Sequence, residues 1–163
     1  MSIALTSLGV KVYYKVDDET AIPTAIPKAN EVPEVKNIPD LSPAPDTIET
    51  TPLSNTEYKT YAKGLKDLGG AIDFTANLTN DLLTLWNGDN TTTGVMGAFN
   101  SLENGKAMWM CIIHPKLDNA IYFQFEPVHL GMPEIAVNEA LEATLSVIPI
   151  SEPKWGTKPT ISE

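Results

Sequence analysis

Short segments in which apolar and polar residues alternate constrain the fold of this chain more than any other feature. The clearest is residues 71–78, where one face carries Ile72, Phe74, Ala76 and Leu78. Residues 11–16, 121–126 and 141–147 repeat this period of two, which is typical of half-buried strands. Helices do not separate these segments regularly, as they would in a parallel α/β protein. The pattern predicts a mainly β fold, an antiparallel sandwich or open barrel with one or two short flanking helices.

The alternation also assigns side chains to the two faces of each strand. Inward positions include Phe74, Phe123, Leu141 and Leu145, and Tyr122 is assigned to the outer face. Residues 107–113 are apolar throughout, which is typical of a strand buried on both faces. Small, acidic or hydroxylated side chains occupy the outward faces of two strands: Asp73, Thr75, Asn77, Glu142, Thr144 and Ser146.

Two short helices are expected between the strands at 71–78 and 107–113. Thr79 or Asn80 can cap the first helix, which Gly88 ends. Its apolar stripe consists of Leu82, Leu85 and Trp86. A second helix is indicated by the spacing of Val95, Phe99 and Leu102.

Three proline-bearing regions interrupt the pattern. Residues 20–34 are predicted to be an irregular surface excursion that follows a strand ending at the acidic residues 17–19, and residues 151–163 an extended, exposed tail. The longest region, about residues 39–68, follows a short strand at 35–38 and shows no strand or helix period before an extended return near 57–62.

Large apolar residues recur through this long region, and a free linker would have little use for them. We therefore predict that residues 39–68 form an arm that folds against a neighbouring copy of the protein. Its candidate contact residues are Pro39, Asp40, Leu41, Pro45, Ile48, Leu53, Tyr58 and Tyr61.

The charge of the chain argues against nucleic-acid binding, and its cysteine content indicates the compartment in which it folds. The formal net charge is −10, and the chain contains 11 lysines and no arginine. Arginine is the usual residue for bidentate phosphate contacts, so the chain is a poor candidate for gripping nucleic acid. The single cysteine is typical of a reducing compartment. We find neither a signal-peptide pattern nor the ~20-residue apolar run that spans a membrane, and we expect a cytoplasmic origin without membrane association.

Few residues offer catalytic chemistry. Cys111 and His114 could pair as nucleophile and base, but residues three apart on a strand point to opposite faces. A metal site of His114, Asp118 and His129 is conceivable across a hairpin, but the spacing matches no known motif. We therefore expect no enzymatic activity, no cofactor and no bound metal.

The tryptophans raise an alternative function. A β-sandwich binding module of a phage or bacterial surface structure would use exposed aromatic residues to bind a carbohydrate or a receptor. Trp86 lies on a helical apolar stripe and Trp109 in a buried strand, so the core accounts for both. Trp155, in the C-terminal tail, is expected on the surface or in a subunit contact.

An ordered series of residues resembles the tail tube proteins, or major tail proteins, of long-tailed bacteriophages. The series runs from Val35-Lys36-Asn37-Ile38-Pro39-Asp40-Leu41 through Pro45, Ile48, Glu49, Thr51, Leu53 and Asn55 to Tyr61, Gly64-Leu65-Lys66-Asp67 and Ile72-Asp73-Phe74. Residues 123–128 and 145–147 also look like the family, so the resemblance covers most of the chain. Residues 20–34 and 88–105 depart from it, and we interpret them as local elaborations.

The resemblance implies a single tail-tube domain over residues 1–163, related in fold to the tube protein of type VI secretion systems. Six copies would form a ring, and rings would stack into a hollow tube through the arm. The tube would belong to the virion and be assembled in the bacterial host cytoplasm, with tape-measure, tail terminator and tip proteins as partners. Genomic DNA would pass through it without specific binding, along a wall for which the six outward polar residues are candidates.

Overall fold

The computed structural model describes residues 9–42, 45–65, 70–89 and 92–162. Strands predominate within these ranges: β1 (Lys11–Asp18), β2 (Ala25–Pro27), β3 (Glu31–Val32), β4 (Val35–Asn37), β5 (Thr47–Glu49), β6 (Tyr61–Lys63), β7 (Ile72–Asn77), β8 (Lys106–Ile113), β9 (Asn119–Pro127), β10 (Glu142–Pro149), β11 (Lys154–Thr157) and β12 (Thr160–Ser162). The helices are α1 (Asn80–Trp86) and α2 (Gly94–Asn100), and a 3-10 turn spans Lys28–Asn30.

Eight of these strands form one sheet in the order β3-β1-β8-β9-β10-β7-β4, with β11 pairing with β9. Every neighbouring pair in this sheet is antiparallel. The two edge strands, β3 and β4, are separated in sequence only by Pro33 and Glu34, so the sheet curls into an open barrel. The predicted mainly β fold with two short helices is confirmed.

Inward side chains of the strands fill the barrel and pack against both helices. Phe74, Phe123 and Leu145 are buried there, as the alternation predicts. Trp86 stacks on Phe125 with ring centroids 6.4 Å apart, which packs the end of α1 against this interior. The buried core consists of Val12, Val32, Ile72, Phe74, Ala76, Leu82, Trp86, Val95, Met108, Met110, Phe123, Phe125, Leu130, Ala143, Leu145 and Val147.

Local chemistry defines the ends of α1. The hydroxyl of Thr79, one of the two predicted caps, accepts a 3.1 Å hydrogen bond from Leu82 N. Asn87 is the C-cap residue of α1, and Gly88 follows with a φ of +53°, a conformation that favours glycine. A Cβ atom at Gly88 would clash with the carbonyl oxygen of Thr93, so the close turn between the helices requires glycine.

A second hydrophobic cluster covers the outer face of β1, β8 and β9. The parallel pair of β2 and β12 supplies Ile26 and Ile161 to it, and they pack with Cys111 and Tyr122. Tyr122 is fully buried, and its hydroxyl donates a 2.6 Å hydrogen bond to the carbonyl of Thr157. Tyr122 faces outward, as the alternation predicts, but it is buried there, because a strand's own alternation does not reveal a second layer supplied by distant segments.

Three expectations are corrected and one is refined. Residues 20–34 are not irregular throughout, since they contain β2, the 3-10 turn and β3. The acidic residues 17 and 18 belong to β1, which pairs with β8 along its whole length. Residues 151–162 are extended and partly exposed, as expected, but they also pair with the rest of the fold, β11 with β9 and β12 with β2. Leu141, expected to face inward, precedes β10 and is partly exposed.

Candidate functional site

The outer face of β7 and β10 is open and polar. The register opposes Asp73 to Ser146, Thr75 to Thr144 and Asn77 to Glu142. We call these six side chains the polar face. The sequence places them on two strands that are far apart in the chain, and the structure brings them together as three directly opposed pairs. Their orientation is fixed because the intervening residues are buried and a slip of one residue would reverse both faces.

Two side chains of the polar face on β10 make short polar contacts with other strands, one with β7 and one with β4. Ser146 Oγ donates a hydrogen bond to Asp73 Oδ1 at 2.6 Å. Lys36, on the edge strand β4, reaches across β7 so that its Nζ lies 2.6 Å from Glu142 Oε1. Both side chains of this ion pair stay more than 40% exposed, at 44% and 42%, so solvent screens it. Lys36 offsets Glu142, and the carboxylate of Asp73 leaves the face negatively charged.

Residues 46–65 form a two-stranded ribbon. β5 and β6 pair antiparallel, and Thr50 N donates to Thr60 O at 2.8 Å beyond them. At the base, Gly64 N donates to Asp46 O at 2.5 Å. Strands form here although the sequence has no strand period, because two exposed segments on either side of Pro52 pair with each other and neither has a buried face. Residues 43–44 and 66–68 of the predicted arm lie outside the described residues.

The ribbon leaves its apolar side chains uncovered. Ile48, Leu53, Tyr58, Tyr61 and Leu65 are all exposed, with Tyr58 at 76%. A two-stranded ribbon is marginally stable in water by itself, and clustered exposed apolar residues mark interaction surfaces. Four of the predicted arm residues, Ile48, Leu53, Tyr58 and Tyr61, therefore lie together on one projecting element.

The other four predicted arm residues lie nearer the barrel. Leu41 is partly buried and packs against the hydrophobic core. Pro39 and Pro45 are half-buried, and the carboxylate of Asp40 accepts a 2.8 Å hydrogen bond from Ser42 N. This first part of the arm anchors the ribbon to its own barrel.

An open groove of about 790 Å³ lies between the base of the ribbon and the turn from β10 to β11. Its apolar lining includes Leu41, Leu65, Ile121, Ile150 and Trp155. Trp155 is 61% exposed, so the expectation that it lies on the surface is confirmed. The groove offers a surface to a second copy or to a ligand.

The loop at 128–141 forms a further projecting surface, which the sequence alone does not predict. Its stem is pinned to α1, because Trp86 Nε1 donates to the carbonyl of Val128 at 2.9 Å and Asn87 exchanges two hydrogen bonds with Leu130, at 2.9 and 3.0 Å. Its tip exposes Met132, Ile135 and Val137, the last at 87%. The available signal is the short apolar run Ile135, Ala136 and Val137, which shows no alternation.

The groups considered for catalysis do not assemble. Burial raises the pKa of the Cys111 thiol to about 12, so the thiol stays protonated at neutral pH. His114 lies in the turn after β8, where its Nδ1 accepts a 3.1 Å hydrogen bond from Lys116 N. Within the described residues no group of three or more His, Cys, Asp or Glu side chains could hold a metal ion, so His114, Asp118 and His129 do not converge.

Comparison with known proteins identifies a shared fold. No protein-family model matches the sequence, and no curated protein matches it either. Among solved structures, the chain is similar to a chain in the cryo-EM structure of the anti-feeding prophage (AFP) baseplate, six-fold symmetrised. The TM-score is 0.62 at 14% identity, over 96% of this chain and 98% of that chain. The two chains share one fold over their whole lengths.

In the described part of the chain, no helix is long and apolar enough to cross a membrane.

Proposed function

We propose that this protein is a structural subunit of a phage-like tail device, and specifically that six copies form a ring and rings stack into a hollow tail tube. The observation that carries the proposal is the whole-length likeness to a chain of a six-fold symmetrised baseplate. The series of tail-tube-like residues between Val35 and Phe74 supports the finer assignment. The tube is the conduit through which the genome leaves the virion.

The ribbon supports stacking. A subunit that repeats along an axis needs a heterologous contact, in which one surface meets a different surface of the next copy. The exposed apolar side chains of residues 46–65 supply one such surface. In this proposal the ribbon makes contacts between rings, and Leu41, which packs against the hydrophobic core, holds the start of the arm on the barrel.

The polar face supports the role of a channel wall. Its six side chains are exposed or half-buried, none of them is a lysine, the neighbouring Lys36 is ion-paired with Glu142, and Asp73 is exposed to solvent. A ring of six copies has a formal charge of −60, six times the −10 of one chain. Like charge within about one Debye length, ~8 Å, repels the phosphates of duplex DNA and keeps the polymer moving. We therefore assign the polar face to the lumen, with DNA passing but not specifically bound.

The remaining partners follow from this assignment. A tape-measure protein would fill the tube before the genome does, and terminator and tip proteins would close its two ends. The tube would be located in the virion after assembly in the host cytoplasm. The subunit would have no catalytic role of its own.

Size in solution tests the proposal. Analytical ultracentrifugation of the purified chain at rising concentration should reveal hexamers of about 106 kDa, six times the 17.7 kDa of one chain, and multiples of them. A species that stays monomeric or trimeric at every concentration would contradict it.

The exposure of Trp155 beside the open groove favours a second candidate, a carbohydrate- or receptor-binding module. A monomer that binds immobilised glycans, and loses that binding in Trp155→Ala, would favour the binding module instead of the tube.

A further inference from the structure

We propose that residues 131–141, the projecting part of the loop at 128–141, are the docking surface for the ribbon of a second copy of this chain. We call this part the loop at 131–141. The inference rests on the proposed function and names the receiving side of the contact between successive rings. It follows from three observations: the positions of the two surfaces in the barrel, their exposed apolar side chains, and the opposite charges of the loop and of the ribbon's return side.

The ribbon and the loop leave opposite ends of the barrel. β4 leads into the ribbon and β7 follows it, and these antiparallel neighbours place the ribbon at the end of β7 where Ile72 lies. The loop leads into β10, whose first residue, Glu142, is paired with Asn77 at the other end of β7. One copy therefore cannot bring its own ribbon onto its own loop without distorting the barrel. Two copies stacked end to end can do so.

Both surfaces expose apolar side chains that no described residue of the same copy covers. The loop presents Met132, Ile135 and Val137, and the ribbon presents Tyr58 and Leu53. The loop is held in place rather than loosely attached, because its stem is hydrogen-bonded to α1 and Asn138 makes a tight turn with φ of +66°. A surface that is already ordered loses little conformational entropy on binding.

The charge of the loop is complementary to one side of the ribbon only. The outgoing side carries the exposed acids Asp46, Glu49 and Glu57, whereas the return side, residues 58–65, carries Lys59 and Lys63 and no acidic residue, so we place the contact on the return side. The loop at 131–141 carries Glu134 and Glu139 and no lysine. Both lysines and both loop glutamates are exposed. Opposite charges around an apolar centre favour one partner and one orientation.

Disulfide trapping tests the contact directly. Tyr58→Cys and Val137→Cys are purified separately and mixed under oxidising conditions, and the native Cys111 does not interfere because it is buried. The control replaces Val137→Cys by Lys116→Cys, an exposed position in the β8–β9 turn at the ribbon's own end of the barrel. We expect about tenfold more mixed dimer from the first pair than from the control, because a specific contact raises the effective concentration of the thiols. Equal yields from the two pairs would overturn the proposal.

A charge exchange supplies a second readout that does not depend on new cysteines. Lys59→Glu with Lys63→Glu should raise the concentration needed for assembly by about tenfold or more, because like charges then face each other. Adding Glu134→Lys and Glu139→Lys to the same chain should restore assembly, while these two changes alone should impair it. Failure of the four-residue variant to recover, when it melts like the parent, would count against the contact.

The outcomes separate this inference from the proposed function. Stacked rings without the Tyr58–Val137 cross-link would refute the docking surface and leave the tube proposal standing. A specific cross-link in chains of subunits that never form rings would support the docking surface and refute the tube. A cross-link from Tyr58→Cys to a different protein in assembled tails, and none to Val137→Cys, would give the ribbon another partner and overturn the proposal.

Discussion

Trp86 connects three parts of the molecule through one side chain. It is fully buried at the end of α1, stacks on Phe125 of the barrel, and donates its indole hydrogen bond to the carbonyl of Val128. The helix, the sheet and the stem of the projecting loop are therefore held by the same residue. The apolar stripe in the sequence predicts the burial of Trp86, but the hydrogen bond depends on a loop 42 residues away.

Phe74 and Phe123 test the assignment of the strand faces. Both are buried inside the barrel, so Phe→Ala at either position should lower the free energy of unfolding by ~3–5 kcal/mol. Ile148→Ala, on the outer face of β10 at 40% exposure, is the matched control and should change stability far less. Thermal and urea melts measure the difference. Core variants that melt like the Ile148 control would mean that the faces are inverted.

Thr144 tests the lumen assignment. It is an exposed central member of the polar face, and unlike Glu142 it is not ion-paired with Lys36. Thr144→Lys should leave folding and assembly unchanged but make assembled tubes retain duplex DNA at low salt. Retention should fall as salt rises, with a log–log slope of about −0.9 per phosphate neutralised.

Thr144→Gln is the control for side-chain size at this position. Retention by neither variant at low salt, in tubes of normal appearance, would place the polar face outside the channel.

At the scale of elements, the ribbon is separable from the barrel. Its base closes with a hydrogen bond from Gly64 N to Asp46 O, so residues 47–63 can be replaced by the two-residue turn Asn-Gly, which suits an antiparallel hairpin. This excision spares Leu41, which packs on the core. The variant should retain the parent's melting temperature, because the ribbon buries little, and should lose assembly beyond single rings. Long tubes from the excised protein, observed by light scattering, would exclude the ribbon from inter-ring contacts.

The sequence predicts those strands whose buried and exposed faces appear as a local alternation of apolar and polar residues. β7 and β10 each have one buried and one solvent-exposed face, so the alternation predicts both strands and identifies the side chains of the polar face. Their adjacency could not be predicted, because register depends on residues about 70 positions apart, such as Asp73 and Ser146. The burial of Tyr122 on the outer face could not be predicted for a similar reason, since Ile26 and Ile161 come from distant parts of the chain to cover it.

The elements that escape prediction are short or exposed. β5 and β6 have three residues each and are exposed throughout, so no apolar period marks them. β2 and β12 form a parallel pair between distant segments, one of which follows a proline. The loop at 131–141 carries exposed apolar residues whose purpose lies outside a single copy. Local patterns predict strands packed on their own core, and they do not predict surfaces that need a partner.

At the scale of the whole molecule, the barrel has two different ends and two different outer faces. One end carries the ribbon and the other the loop, and β2 and β12 cover the outer face of β1, β8 and β9 while the polar face stays open. Two unlike ends favour repetition along an axis, and one hydrated, acidic side favours closure around a channel. This asymmetry is what a subunit of a stacked tube requires.

Negative-stain electron microscopy of the purified full-length chain tests this central claim most directly. The proposal predicts end views with six-fold symmetry and a stain-filled centre, and side views of stacked rings. Uniform single particles the size of one or three chains, at concentrations well above those at which the protein is expressed, would contradict it.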